Sequence, residues 1–431
     1  MNVSAKPFIA LAVLYCLAAE TASASGFLED ARSELLIRNF YLSNDYRSPS
    51  PSGKSYKQEW AQGFIGTFVS GFTGGAVGSG VDAHAFYGLK LDGGKGHSGT
   101  GLLPIDSDGR SESGYSSAGG ALKLKTSRTT LAYGEMTVET PVFATSDKRL
   151  QPEYATGFLL DSFEIKHVNL VAGHFTAFKN QDSSTGRDDF QGYGASTDVG
   201  GISFIGADLF GDSPLGGALY ASDLSETWHQ YYANLHLNQY GVLLDANLYR
   251  TRDTGQALAG DINNTAFSLS GKYTFGSQAV MLGWQRINGN TPFDFVGGDS
   301  IYLANSIKYA DFNGAQERSW QLRYDLDFAA FGVPGLKFMT RYVAGSHIDG
   351  THAPEGGAYR PFDASRGEYL PQQGAGGRHW ERDVDLHYIV QSGAAKDLSV
   401  QLSHVSHRAN SAQAGDDIDR IYVVIQYPLG S

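Results

Sequence analysis

The sequence predicts an all-β protein, a transmembrane antiparallel β-barrel of about 18 strands with short periplasmic turns and long extracellular loops. Three observations predict it. Apolar and polar residues alternate over short segments along the whole chain. The segments are joined alternately by short and long connections. Beyond the N-terminal stretch, no apolar run approaches the ~18 residues of a spanning helix.

The alternation is clearest at 265–275, where Phe267, Leu269, Tyr273 and Phe275 oppose Ser268, Ser270, Lys272 and Thr274. Side chains repeat every two residues only on an extended strand. The pattern returns at 230–237, with Tyr231, Ala233 and Leu235 against Gln230, Tyr232 and Asn234. At 318–328, Trp320, Leu322 and Tyr324 oppose Ser319, Gln321 and Arg323, and at 420–427, Ile421, Val423 and Ile425 oppose Arg420, Tyr422 and Val424. A soluble sandwich also alternates but must close a dry core, whereas a membrane barrel sets its apolar face on lipid and its polar face on water. The 41% hydrophobic content would suit a soluble protein too, because a barrel spreads its signal over many ~10-residue segments.

In chain order the expected strands are 33–44, 59–70, 78–91, 119–126, 129–138 and 155–165, the fourth and fifth separated by Ser127-Arg128. Then come 168–178, after the Lys166-His167 turn, 200–209 and 216–224 around Gly211 to Pro214, and 228–237 and 241–251 around Asn238 to Tyr240. Gly276-Ser277 divides 264–275 from 278–287, and Phe331 to Gly335 divides 317–328 from 335–345. Ser392 to Asp397 divides 380–391 from 398–408, and 419–429 completes the set. Long connections fall near 45–58, 92–118, 139–156, 179–199, 253–263, 288–316, 346–379 and 409–418. The count is even and leaves both ends of the barrel on the periplasmic side. Segment 300–309 is assigned to the long loop, since counting it would demand a further strand.

At the N-terminus, Lys6, the mostly apolar stretch from Phe8 to Ala19, and Ala22-Ser23-Ala24 read as a secretory signal peptide over 1–24. The barrel domain then occupies 25–431. The only cysteine, Cys16, lies in the removed segment, so the mature chain needs no disulfide. The net charge of −12 argues against nucleic acid as a partner.

Glu59-Trp60-Ala61-Gln62-Gly63-Phe64 and Gly99-Thr100-Gly101-Leu102-Leu103-Pro104 resemble the OprD family of outer-membrane substrate-specific channels. So do Thr140-Pro141-Val142, Asn290-Thr291-Pro292-Phe293-Asp294, His379-Trp380-Glu381-Arg382-Asp383 and Tyr427-Pro428-Leu429. The resemblance runs from about residue 27 to 429. It implies an 18-stranded barrel, a monomer or weak homotrimer set in outer-membrane lipid and lipopolysaccharide. It further implies loops folded to a narrow eyelet and passage of small anionic or zwitterionic solutes bearing a carboxylate, guided by a basic row. No cofactor and no metal is implied.

The residues suggest a basic track independently. Lys123, Lys125, Lys272, Arg323, Arg341 and Arg420 lie opposite the apolar rows of their strands. A cation facing lipid at mid-membrane costs roughly 2–4 kcal/mol, so these should face the lumen, where a guanidinium can hold a carboxylate bidentately. The alternative is that each pairs with an acid on the wall. By resemblance Arg149, in the third long connection, is expected at the eyelet, and Arg38 matches a family arginine in the first strand. Asp294 and Asp299 are candidates for an acidic counter-wall; otherwise they are solvated loop carboxylates. Where some relatives carry arginine, this chain has Gln401 and Ser403, so the ladder is expected to be thinner there. His404 and His407 would fall on opposite faces of a regular strand, which disfavours a shared metal. A barrel hydrolase and a non-conducting adhesin are the alternatives; no Gly-x-Ser-x-Gly elbow in a strand–helix context supports the first.

Overall fold

Each strand of one large sheet is hydrogen-bonded to its neighbours in sequence, and the last pairs antiparallel with the first. The result is a closed 18-stranded barrel. The computed structural model describes residues 26–430 except 48–52, 187, 189, 191–199 and 212, so the expected signal peptide lies outside the described residues. The barrel strands are β1 (Arg32–Tyr46), β2 (Tyr56–Val69), β3 (Gly78–Asp92), β4 (Gly114–Thr126), β5 (Thr129–Met136) and β6 (Tyr154–Ser162). Next are β7 (Val168–Lys179), β8 (Ile202–Leu209), β9 (Leu215–Leu224), β10 (Trp228–Gln239), β11 (Val242–Asp253) and β12 (Asn263–Phe275). The circuit ends with β13 (Gln278–Asn288), β14 (Arg318–Asp327), β15 (Leu336–Asp349), β16 (Ala375–Ile389), β17 (Ser399–Ala409) and β18 (Ile418–Gly430).

All eighteen expected strands are present, and 300–309 is loop. Several strands reach further toward the loop end than the alternation shows. β4 starts at Gly114 and β16 at Ala375, and β15 runs to Asp349. These extensions stand above the lipid, where no apolar face is required. Pairing continues there: the β15–β16 register jumps from Gly345↔His379 to Ile348↔Gly377 and Asp349↔Ala375 across a bulge. The loops at this end are L1 (47–55), L2 (93–113), L3 (137–153), L4 (180–201), L5 (225–227), L6 (254–262), L7 (289–317), L8 (350–374) and L9 (410–417). L5 is the exception to the long-loop pattern, a tight turn with Glu226 at φ 54°.

The exposure pattern is inverted relative to a soluble protein. Along β14, Trp320 is 49% and Leu322 47% exposed, while Ser319 and Gln321 are 2% exposed. On the outer face Trp284 pairs with Trp320, and Trp320 and Trp380 both pair with Ala344, two residues from Tyr342. Trp320 lies 5.6 Å from Tyr342, and Tyr342 lies 5.7 Å from Trp380. At the turn end Tyr273 stacks on Phe275, and Tyr240 and Phe331 are exposed. Aromatic girdles at both edges of an apolar band are the mark of a barrel in lipid.

Inside, the barrel is filled unevenly. A large aromatic cluster packs L3, L6 and L7 against β7 to β13, through Phe143, Phe175, Phe204, Trp228, Tyr249 and Phe293. A smaller cluster holds Leu102 and Leu103 of L2 and Leu150 of L3 against Phe40, Ile65, Phe86 and Tyr115. Room for Leu150 comes from the register pair Gly63↔Gly88. A Cβ at Gly88 would stand 2.8 Å from both Phe86 and Tyr115 and 3.1 Å from Leu150.

Because Leu322 is at the centre of β14 on the outer face, Leu322→Arg should lower barrel stability by roughly 2–4 kcal/mol. Urea unfolding in lipid vesicles measures this; a neutral effect would contradict the lipid-facing assignment.

Candidate functional site

L3 enters the lumen with both ends fastened, Phe143 in the large cluster and Leu150 in the small one. The span between them crosses the opening and presents Asp147, Lys148 and Arg149. Backbone groups of L3 and L7 are fixed to each other by Glu153. Its Oε2 accepts from Ser146 N at 2.8 Å and from Gly298 N at 3.1 Å. Close approach is possible only because Gly297 has no side chain: its φ is +86°, and a Cβ would sit 2.0 Å from the Ala144 carbonyl. Lys148 completes the join, donating to the Gly298 carbonyl at 2.9 Å and pairing with Asp299.

Two cavities meet at this joint. One, of about 670 Å³, runs toward the turn end along β1, β15, β17 and β18, with Arg38, Arg341, Gln401 and Ser403 in its wall. The other, of about 410 Å³, opens toward the loops past Arg420, Gln181 and Asp182. Both are lined by Lys148, Arg149, Gly298, Ile307, Lys308 and Asp311. Those shared residues form the constriction, L3 on one side and L7 on the other.

The expected basic residues fall into three groups. Arg38, Arg149, Arg341 and Arg420 line the two central cavities. Lys272 and Arg323 line a separate opening of about 480 Å³ at the turn end. Lys123 and Lys125 lie further round that rim, each 5.2 Å from the Phe72 ring, and are not brought to the constriction.

Most of these cations have acidic partners. Arg38 is 3% exposed and binds both oxygens of Asp147, at 2.5 and 2.8 Å, while donating to the Arg149 carbonyl at 2.8 Å. Arg341 pairs with Asp383 at 2.7 Å, Lys123 with Asp82 at 2.5 Å, and Arg323 with Asp325 at 2.6 Å. Lys272 lies 3.9 Å from that same Asp325. Arg420 differs: it donates to Asn44 at 2.7 Å and to the Tyr422 hydroxyl at 2.9 Å, and its guanidinium lies over the Tyr309 ring at 4.6 Å. Arg149 donates to the carbonyls of Thr100 and Lys148.

The acidic candidates separate. Asp299 lines the larger cavity beside Lys148. Asp294 is buried in the filled half of the barrel, accepting from Trp228 Nε1 at 2.9 Å and from the Tyr359 hydroxyl at 2.8 Å. It ties L7 and L8 to β10 instead of facing the passage.

Sequence reasoning missed Lys308, Asp147 and Asp311. Lys308 reaches Asp385 at 3.0 Å and lies 5.6 Å from the Tyr422 ring. The inward row of β16 explains how its turn is held. Glu381 accepts from the Tyr309 and Ala310 amides at 3.0 and 2.8 Å, Asp383 takes Arg341, and Asp385 takes Lys308. Alternating acids on one strand face were the available signal. The end of L7 is fastened by Glu317, whose carboxylate meets His379 at 2.7 Å; His379 in turn meets His407 at 2.8 Å. Both histidines thus have ring partners within the wall.

Burial under the folded loops pushes the Asp311 carboxyl above the ordinary carboxylate range, against a 2.7 Å hydrogen bond from Ser306 that favours its charge. A raised acid pKa means folding favours the protonated form; that contribution is full below the unfolded value and lost as pH rises through the folded one. Acidification should therefore discharge Asp311 before freely solvated carboxylates, raising anion preference at the constriction. Asp311→Asn should flatten that part of the pH dependence of the reversal potential; an unchanged profile would rule Asp311 out as its source.

The sequence and the fold agree with known proteins. A family model for "outer membrane porin, OprD family" matches residues 25–431. Porin D of Pseudomonas aeruginosa is 41% identical, covering 97% of this chain and 95% of that protein. The porin-like protein GalP of Pseudomonas putida is 33% identical, over 95% and 94% respectively. Among solved structures, Pseudomonas aeruginosa OpdK with vanillate superposes with a TM-score of 0.83 at 36% identity, covering 94% of this chain and all of that one. Pseudomonas aeruginosa OprD gives 0.80 at 39% identity, over 95% and 97%. With a closed 18-stranded barrel, loops folded to a charged constriction and these relatives, the chain belongs to the OprD family, the substrate-specific porins of the bacterial outer membrane.

Proposed function

We propose that this porin passes small carboxylate-bearing solutes by passive diffusion, drawn to the constriction by its cations. The observation that carries the reading is that Lys148, Arg149 and Lys308 line both central cavities. Any solute moving between the cavities passes them. Arg420 stands on the loop side and Arg38 and Arg341 on the turn side, which supplies sites before and after the narrowing. Partial pairing with Asp147, Asp383 and Asp385 keeps each site moderate. A channel needs that balance, since an anion must leave as readily as it enters. Asp299 and Asp311 beside the cations suit zwitterionic solutes as well. The presence of vanillate, a carboxylate, with OpdK supports the same solute class.

The chemistry calls for no covalent step. Lys272 and Arg323 extend the basic track to the turn end; Lys123 and Lys125 belong to the same rim.

Removing one exposed charge contact is worth up to about 1 kcal/mol. Lys308→Ala or Arg149→Ala should then cut uptake of an aromatic monocarboxylate roughly fivefold while sparing a neutral solute of equal size in liposome swelling. Equal losses would overturn the electrostatic role. The uncharged Gln401 and Ser403 also line the larger cavity. Gln401→Arg should shift the reversal potential in a salt gradient toward stronger anion selectivity, and no shift would show that this stretch of wall does not touch the ion path.

A further inference from the structure

Two register rows on the outer wall change character together. In the first, Ile205, Ala221, Tyr231, Arg250, Thr265 and Asn288 are successive partners from β8 to β13. The next row toward the turn end joins Ala207, Leu219, Ala233, Leu248, Phe267, Arg286 and Arg318 from β8 to β14. Ile205, Leu219, Tyr231 and Leu248 are 65%, 57%, 53% and 46% exposed, so these rows face outward. Each is apolar on β8 to β10 and becomes polar or cationic by β13.

A groove follows the apolar part. It measures about 550 Å³, with Ile205, Ala207, Leu219, Ala221, Ala233 and Leu248 along it and Arg250 at its end. Arg250 also lines a second cleft, of about 310 Å³, shared with Asn263, Asn288, Asn290 and Asp261. The guanidinium therefore sits where an oily trough meets an amide-rich crevice. Its described partners are neutral oxygens: the Asn264 carbonyl at 3.1 Å, Thr265 Oγ1 at 3.0 Å and the Asn263 side chain. Arg252 follows two residues along the same face of β11, opposite His229 and Asn263.

Charge complementarity selects the occupant. Arg286 and Arg318 are direct register partners, and like charges placed opposite each other on a sheet repel. Among the described residues the buried Nε of Arg286 has no hydrogen-bond partner. An anion beside the pair would relieve that repulsion. The rows cross the middle of β8 to β10 and lie near the loop ends from β11 to β14, where Arg250, Arg286 and Arg318 stand, the outer-leaflet side of such a barrel. An apolar trough of aliphatic side chains suits an acyl chain, asparagine amides and Asp261 suit sugar hydroxyls, and arginine forks suit phosphate.

We infer that the outer wall from β8 to β14 binds a phosphorylated saccharolipid of the outer leaflet, its acyl chain in the trough below Arg250 and its phosphates on Arg250, Arg252, Arg286 and Arg318. A lipid bound there would cover an outer face remote from the constriction, leaving conduction to the residues already assigned.

Native mass spectrometry of the full barrel in neutral detergent, titrated with diphosphoryl lipid A and with the same lipid stripped of phosphate, tests this. Wild-type protein should retain the diphosphoryl form at least tenfold better. Arg250→Ala with Arg252→Ala should abolish the preference, and Arg250→Lys with Arg252→Lys should keep part of it. Ala221→Trp, which fills the trough but leaves every arginine, should weaken retention independently. Single-channel conductance should be unchanged in each, confirming folded barrels. Equal retention by wild type and the double alanine variant would overturn the inference. So would equal retention of the phosphate-free lipid, or Ala233→Cys cross-links between barrels that exclude lipid A.

Discussion

The constraint behind everything else is that no water in the hydrocarbon layer can accept a backbone N–H. Each amide crossing that layer must find a partner in the protein, and a sheet achieves this only by closing. Here closure is the pairing of β1 with β18, in continuous register from Glu34↔Gly430 to Tyr46↔Ile418. Once the ring of hydrogen bonds is complete, the barrel needs no conventional core. The apolar rows of its membrane band face outward, and the interior is shaped by loops packed on the inward aromatic residues of β7 to β13.

That freedom is used asymmetrically. L3 and L7 carry their own apolar residues inward and bury them against β7 to β13. The open passage is thereby displaced to the opposite wall, beside β1, β15, β17 and β18. Buried carboxylates then set loop position: Glu153 ties L3 to L7, Glu381 caps the turn that presents Lys308, and Asp294 anchors L7 and L8 to Trp228. Each accepts more than one hydrogen bond, and removing it would leave several buried donors unmatched.

The strands were legible because their determinants are local. Alternation around Leu269 or Leu322, and turn residues such as Gly276-Ser277, act over a few positions. The inward facing of Arg341 and Arg420 followed from the same two-residue period. What the period cannot tell is the partner. Arg38 meets Asp147 across 109 residues of sequence, and Trp228 meets Asp294 across 66. Those pairings depend on how loops fold into a closed cylinder, which no local pattern encodes. Asp294 and Asp299 look alike in the chain; their separation into a buried tie and a wall residue is a tertiary outcome. Lys308 went unseen for the same reason, lying in a loop whose inward path gives no periodic signal.

The lopsided interior has an evolutionary corollary. Gln401, on the wall of the open half, is only partly covered and donates to Ser403 Oγ at 3.2 Å, so exchanging it leaves the aromatic cluster untouched. Phe143, Phe175 and Phe293 enjoy no such latitude, because each interlocks with its neighbours. Diversification of cargo can therefore proceed by drift along one wall while the other preserves the scaffold that keeps the gatekeeping loops in place.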